Sequence, residues 1–230
     1  IEVVKVGRSE TDFSINISEA ETAIKNQNNP PIKVVFIVNP NSPTGNLVTE
    51  TEIEFLRCIP ENILVVIDEA YFEFSQKSLI SELSNHKNWI ILRTFSKAFR
   101  LAAHRVGYAI ASEELTIALE KIRLPYNLPS FTQIAAEFVL KNRQDLLAFI
   151  PEIVKEKEIL FNTFSQNSAI KIWRSDANFL YLRLTNSMEN VVDILKDKGT
   201  LIRHTGGGLR ITVGTPEENK RTIQRINSLH

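Results

Sequence analysis

Cysteine is almost absent from this chain. Cys58 is the single one in 230 residues, so no internal disulfide can form. With no secretory leader in view, a lone thiol is expected of a protein kept in a reducing compartment, here the cytoplasm. The chain opens on Ile1 and not on methionine, which leaves room for an upstream start and any signal carried there. Net charge is missing too: 27 basic residues balance 27 acidic ones. No basic field is left to attract nucleic acid or anionic lipid. Long apolar runs are also lacking. The longest clean one, Ile63 to Ile67, falls far short of the ~20 residues that span a bilayer. The 4 histidines show no metal-ligand spacing. Repeats and low-complexity segments are not seen.

The 43% hydrophobic and 23% charged residues are those of an ordinary globular chain. Its length suits one large domain or two smaller ones, with a sizeable core. The first part alternates β-branched runs with helical stretches. Strands are expected at Glu2 to Val6, Val34 to Val38, Ile63 to Ile67, Trp89 to Arg93 and Val106 to Ala111. The continuous apolar run at Val34 to Val38 predicts a strand covered on both faces. Helices are expected at Ser18 to Gln27, with Ser18 and Glu21 in a capping-box pattern, and at Thr49 to Cys58, capped by Thr49. Cys58 is expected to be buried packing on that helix. Alternation of this kind predicts an α/β fold, a mixed, mostly parallel sheet with helices on both faces.

After Ala111 the pattern changes. Helices are predicted at Ser112 to Ile122, Phe131 to Asn142, Asp145 to Phe164 (with a kink at Pro151), Met188 to Lys198, and from Pro216 onward. Strands are predicted at Asn178 to Leu184, Leu201 to Arg203 and Leu209 to Val213. The expected division is a large domain over residues 1–129, then an interdomain helix and a smaller C-terminal α+β domain over 130–230.

Chemistry concentrates at strand ends. Thr94 and Ser96 lead into Lys97, and Arg105 follows on the same segment. Hydroxyls and a guanidinium converging after a buried strand suit a phosphate dianion. A partly desolvated lysine there can form a Schiff base. Asp68-Glu-Ala-Tyr71 ends the most apolar strand, where an acid points into the usual ligand crevice of an α/β sheet. Alone, such an acid is more often a helix cap. Asn39-Pro-Asn-Ser-Pro-Thr-Gly45 is a proline-locked turn offering amide and hydroxyl hydrogen bonds. Arg210, on an apolar strand with Arg203 across Gly206 to Gly208, wants an anion, although a structural salt bridge is the ordinary reading of either arginine. The glycine run lacks the pattern of a phosphate loop and reads as a flexible hairpin.

Taken together these strings resemble the fold-type I aminotransferases that use pyridoxal 5'-phosphate, and among them the histidinol-phosphate aminotransferase family. Ser175-Asp-Ala-Asn-Phe179 and the segment from Leu209 to Glu218 carry the likeness to that branch. The resemblance implies transamination between glutamate/2-oxoglutarate and histidinol phosphate/imidazole-acetol phosphate, by a cytoplasmic homodimer. Lys97 would carry the cofactor and move the proton at the substrate Cα. Asp68 would pair with the ring nitrogen and Tyr71 with the phenolate oxygen. Thr94, Ser96 and Arg105 would hold the phosphate. Arg210, helped by Arg203, would take a substrate anion, with Asn178 on the substrate side. The family commonly has asparagine where this chain has Ser42, so either Ser42 or Asn41 would supply that contact to the cofactor. The family's N-terminal glycine-acid turn, stacking aromatic and dimer-lent tyrosine are not visible before Ile1, so the chain is expected to start partway into the large domain. Alternatives are an aromatic amino-acid aminotransferase or a threonine-phosphate decarboxylase on the same scaffold, or a non-catalytic fragment that binds no cofactor.

Overall fold

Four short apolar runs pair edge to edge in the computed structural model, which describes residues 1–26, 30–185 and 190–229. They are β1 (Val34–Val38), β2 (Leu64–Asp68), β3 (Trp89–Thr94) and β4 (Gly107–Ala111), in that spatial order. β1, β2 and β3 run parallel; β4 returns antiparallel, so the sheet is mixed, as expected. Helices α1 (Ile17–Lys25), α2 (Glu50–Arg57) and α3 (Phe72–Ser75) punctuate this half. Its core gathers Leu56, Val65, Ile67, Trp89 and Ile91. Burying one such aliphatic side chain contributes about 1.5–3 kcal/mol.

The chain then runs through α4 (Glu113–Ile122), α5 (Ser130–Lys141), α6 (Arg143–Leu146) and α7 (Ile150–Ser165). The second sheet follows, built from β5 (Ile170–Trp173), β6 (Phe179–Leu184), β7 (Arg203–Thr205) and β8 (Gly208–Thr212). Its spatial order is β5-β6-β8-β7, antiparallel throughout. α8 (Val191–Asp197) and α9 (Pro216–Asn227) complete it. Leu160, Phe164, Leu180, Leu182, Leu195 and Ile226 form its core. Helices and an antiparallel sheet share this second core.

Several expectations need correction. Glu2 to Val6 is not a strand; an isolated bridge between Arg8 and Ile15 is all that forms nearby. β-branched residues make a strand only where a neighbour supplies the ladder, and none of the described strands pairs with them. β1 is not covered on both faces: it is an edge strand, and Phe36 remains 63% exposed. α1 is capped by Asn16, whose Oδ1 accepts from Glu19 N–H at 3.2 Å, so the helix starts before Ser18. The expected end of this helix at Gln27 lies outside the described residues, as does the expected helix start at Met188. Cys58 is exposed at the C-cap of α2 and is not core packing. Pro151 kinks nothing, because the long helix expected from Asp145 breaks after α6 and Pro151 sits in the first turn of α7. β5 was not expected; β7 begins at Arg203, later than predicted.

α2 shows how a local motif is tied to the rest. Thr49 Oγ1 accepts from Glu52 N–H at 3.2 Å, and Glu52 Oε2 accepts from Thr49 N–H at 2.6 Å, a closed capping box. The other oxygen of buried Glu52 accepts from Ile15 N–H at 2.6 Å, which fastens the N-terminal segment to α2. Glu52→Ala removes both jobs. It should cost about 2–3 kcal/mol in urea unfolding, combining a lost cap with an orphaned buried amide; a loss no larger than that of an exposed cap would contradict the role of the Ile15 bond.

Candidate active site

The parallel pairing of β2 and β3 brings the two chemical strings together. Asp68 pairs in register with Leu92, and Glu69 N–H still donates to Leu92 O at 2.8 Å one residue later. Both strands therefore end side by side, as ligand crevices in such sheets require. Asp68 Oδ1 accepts from Ala70 N–H at 2.9 Å, which sharpens the turn leading to Tyr71. Tyr71 is buried, and the Lys97 ammonium lies 5.4 Å from its ring centroid. Lys97 itself is exposed in the turn after β3.

Thr94 Oγ1 donates to Ser96 Oγ at 2.9 Å and accepts from Ser96 N–H at 3.1 Å, so the two hydroxyls face one another. Arg105 is not brought onto them. Its guanidinium is exposed and donates to Ala102 O at 2.9 Å. Its backbone is close, because Phe95 N–H donates to Val106 O at 3.2 Å. Arg105 takes a left-handed φ of 52°, which turns the chain from the η-turn Ala102–His104 into β4.

The second sheet closes on the other side. Arg203 and Arg210 are directly paired across β7 and β8, so both side chains leave the same face. Like charges so placed repel, and an anion between them relieves it. Arg210 Nη1 donates to Ser42 Oγ at 3.2 Å, while its buried Nε has no hydrogen-bond partner among the described residues. Its guanidinium also lies 4.8 Å from the Phe179 ring centroid, and Phe179 meets Tyr71 edge-on at 5.0 Å. A continuous path of contacts thus joins Lys97, Tyr71, Phe179, Arg210 and Ser42.

The loop from Asn39 to Gly45 bridges the two sheets. Asn39 N–H donates to Asp68 O at 2.8 Å. Gly45 O accepts from Asp176 N–H at 2.8 Å, and a Cβ at Gly45 would stand 2.1 Å from Ser175 Oγ; its φ of 82° is also one that L side chains rarely adopt. Asn41 is buried with its amide donating to Thr44 Oγ1 at 2.6 Å, whereas Ser42 is exposed toward Arg210. Asn178 immediately precedes β6, and its carbonyl accepts from Val213 N–H at 3.0 Å. Sequence reasoning missed Phe179 as a stepping stone and the buried partners beneath the strand ends. A phenylalanine beginning an apolar strand gives no signal apart from its neighbours.

The donor set fits pyridoxal phosphate: paired hydroxyls for a phosphate, a carboxylate at a strand end for a ring nitrogen, a phenol, and an amine within the same turn. The chain belongs to the aminotransferase class I and II family, whose model matches residues 1–226. Among curated relatives, a histidinol-phosphate aminotransferase of Trichodesmium erythraeum is 58% identical over 242 residues, covering 100% of this chain and 64% of its own length. A histidinol-phosphate aminotransferase 2 of Nostoc sp. is 52% identical, covering 99% of this chain and 62% of the relative. The chain therefore spans less than two thirds of these relatives. Solved structures share the fold: histidinol-phosphate aminotransferase from Clostridium acetobutylicum has a TM-score of 0.88 at 23% identity, over 100% of this chain and 71% of that one. The Sinorhizobium meliloti enzyme in complex with pyridoxal-5'-phosphate has a TM-score of 0.84 at 24% identity, over 100% and 65%.

One acid near the site is under strain. Glu73, on α3 just past Tyr71, is buried, and its Oε2 has no hydrogen-bond partner among the described residues. Burial raises its pKa above the ordinary carboxyl value, with Arg93 pulling the other way and Glu69 adding to the rise. The folded chain then holds this proton to a higher pH than the unfolded chain does. Stability from this group is full below the unfolded pKa and falls as pH rises through the folded one. Glu73→Gln removes that slope. Urea midpoints followed from about pH 4 to about pH 8 should show the variant gaining on the unsubstituted protein as pH rises; parallel curves would refute the assignment.

Proposed function

We propose that this chain forms the cofactor- and substrate-anion-binding part of a pyridoxal-phosphate-dependent enzyme that exchanges an amino group between glutamate/2-oxoglutarate and histidinol phosphate/imidazole-acetol phosphate. The observation that carries the reading is the meeting of Asp68, Tyr71 and Lys97 where β2 and β3 end together. The substrate choice is supported by the names of relatives at 58% and 52% identity.

When bound, the cofactor supplies an aldehyde for amines and a ring that draws electrons from the substrate Cα. Lys97 supplies the amine that anchors it, and in the free-amine form takes and returns the proton at the substrate Cα. Asp68 holds the ring nitrogen protonated, and the Tyr71 hydroxyl donates to the ring oxygen. Thr94 and Ser96 offer their hydroxyls to the phosphate, and Arg105 swings its exposed guanidinium from Ala102 onto it. Ser42 is better placed than Asn41 for the remaining contact, because the Asn41 amide is already engaged by Thr44. Arg210, with Arg203 beside it, exchanges Ser42 for a substrate carboxylate or phosphate and so orients the reacting carbon. Asn178 lies next to that anion pocket.

The molecular setting is part of the same proposal: a small-molecule enzyme of the cytoplasm, working as a homodimer, with domains dividing near residue 129. No described helix is long and apolar enough to cross a membrane. A broad apolar surface on and around α4 and α5, with Ile122 77%, Tyr126 97% and Phe131 76% exposed, supports further protein covering it.

The test uses the protein as expressed from its gene. Addition of pyridoxal phosphate should give a visible absorbance band that Lys97→Ala abolishes, with kcat for histidinol phosphate falling by at least about 10²–10⁴-fold. Phenylalanine and threonine phosphate serve as competing substrates. A colourless protein, or one preferring either competitor, overturns the reading.

A further inference from the structure

Directly behind the strand ends lies an ion pair to which the reaction assigns no role. Glu69 follows Asp68, and Arg93 precedes Thr94. Consecutive residues of an extended chain face opposite ways, so the acid and the arginine sit on the side away from Asp68 and Thr94. Arg93 Nε and Nη2 both donate to Glu69 Oε2, at 3.0 and 2.9 Å. Glu69 is fully buried, and Arg93 nearly so. Ser78 Oγ donates to Glu69 Oε2 at 2.8 Å and accepts from Arg93 Nη2 at 2.9 Å. Leu79 N–H donates to Glu69 Oε1 at 2.8 Å, so both carboxylate oxygens are used. The guanidinium is stacked on the Phe72 ring, 3.5 Å from its centroid.

Such a pair adds little net stability when compared with an apolar substitute, because desolvation offsets attraction, yet breaking it from one side is costly. Its value lies in geometry. It stands where the β2–β3 ladder runs out, so it sets the separation of the two ends after backbone bonding has stopped. One end carries Asp68 and Tyr71; the other carries Thr94, Ser96 and Lys97. Phe72 and Ser78 extend the brace to both ends of the segment that follows Tyr71.

Resting on the function proposed above, we infer that Glu69 and Arg93 are a positioning pair: from the far side of the sheet they hold the Asp68 carboxylate in register with the Lys97 amine. They touch neither cofactor nor substrate. A change in the pair is transmitted as a shift of Asp68 relative to the ring nitrogen, and so alters the electronics of the bound cofactor besides its affinity.

The experiment titrates the visible band of the pyridoxal-phosphate-loaded protein against pH and measures the cofactor Kd, with urea unfolding alongside. Glu69→Gln and Arg93→Lys keep size and much of the hydrogen bonding. Each should move the band's pH midpoint by about half a unit or more and raise the cofactor Kd about tenfold. Ser78→Ala, which removes only a neutral hydroxyl at a half-buried site, should move the midpoint the same way by less. It keeps the test open if the charged-pair variants do not fold. A purely structural pair lowers the urea midpoint in all variants yet leaves the band's pH midpoint unchanged, and that result would overturn the inference. The unsubstituted protein separates the two levels: a band that Lys97→Ala removes, combined with unmoved midpoints, sinks the positioning role alone. No band at all sinks the underlying reading, and the inference with it.

Discussion

Where β2 and β3 finish, the last rung between them is the bond from Glu69 N–H to Leu92 O, and Asp68, Tyr71, Thr94, Ser96 and Lys97 all lie within a few residues of it. Parallel pairing is what makes this possible. Two strands running the same way end at the same edge, so the residues that follow them share one crevice, whereas antiparallel neighbours would send them to opposite edges. Asp68 and Tyr71 arrive from one strand end, Thr94, Ser96 and Lys97 from the other. β4 returns antiparallel and delivers the backbone of Arg105 and Val106 to the same place.

The second sheet contributes the paired arginines proposed for a substrate anion. Its arginines come from a tight hairpin in which Gly206 and Gly207 take left-handed backbone angles, setting Arg203 opposite Arg210. The halves are joined by Tyr71 on Phe179, by Gly45 against Ser175 and Asp176, and from the N-terminal segment by Phe13 on Trp173 and Tyr181 and the Glu10–Arg183 ion pair. The side-chain hydrogen bond from Arg210 to Ser42 is one that an incoming anion can replace.

Misreadings in the sequence share a cause. Glu2 to Val6 and Val34 to Val38 both have strand-like composition, but composition does not say whether a neighbour exists. One forms no ladder, and the other is a sheet edge with Phe36 in the open. Ser18 looked like a helix cap because hydroxyl and acid had the right spacing; Asn16, two positions nearer the bridge to Arg8, reaches Glu19 N–H first. Glu69, inside the Asp-Glu-Ala-Tyr string, and Arg93, inside β3, carried no separate reading in the sequence. That they answer each other depends on the strand register, which no local pattern encodes.

Residue order by itself determined the chemistry available to this protein: a lysine beside hydroxyls, an acid closing an apolar run, a proline-locked turn, and arginines around a glycine hairpin. Those strings are local, and local propensity writes them legibly. Which of them meet was decided by tertiary structure alone, because pairing of β2 with β3 and docking of Phe179 on Tyr71 are contacts between residues far apart in the chain. Burial had the same origin. The sequence could not say that Asn41 turns inward to Thr44 while Ser42 faces Arg210, since that choice is made by the loop's packing between two sheets.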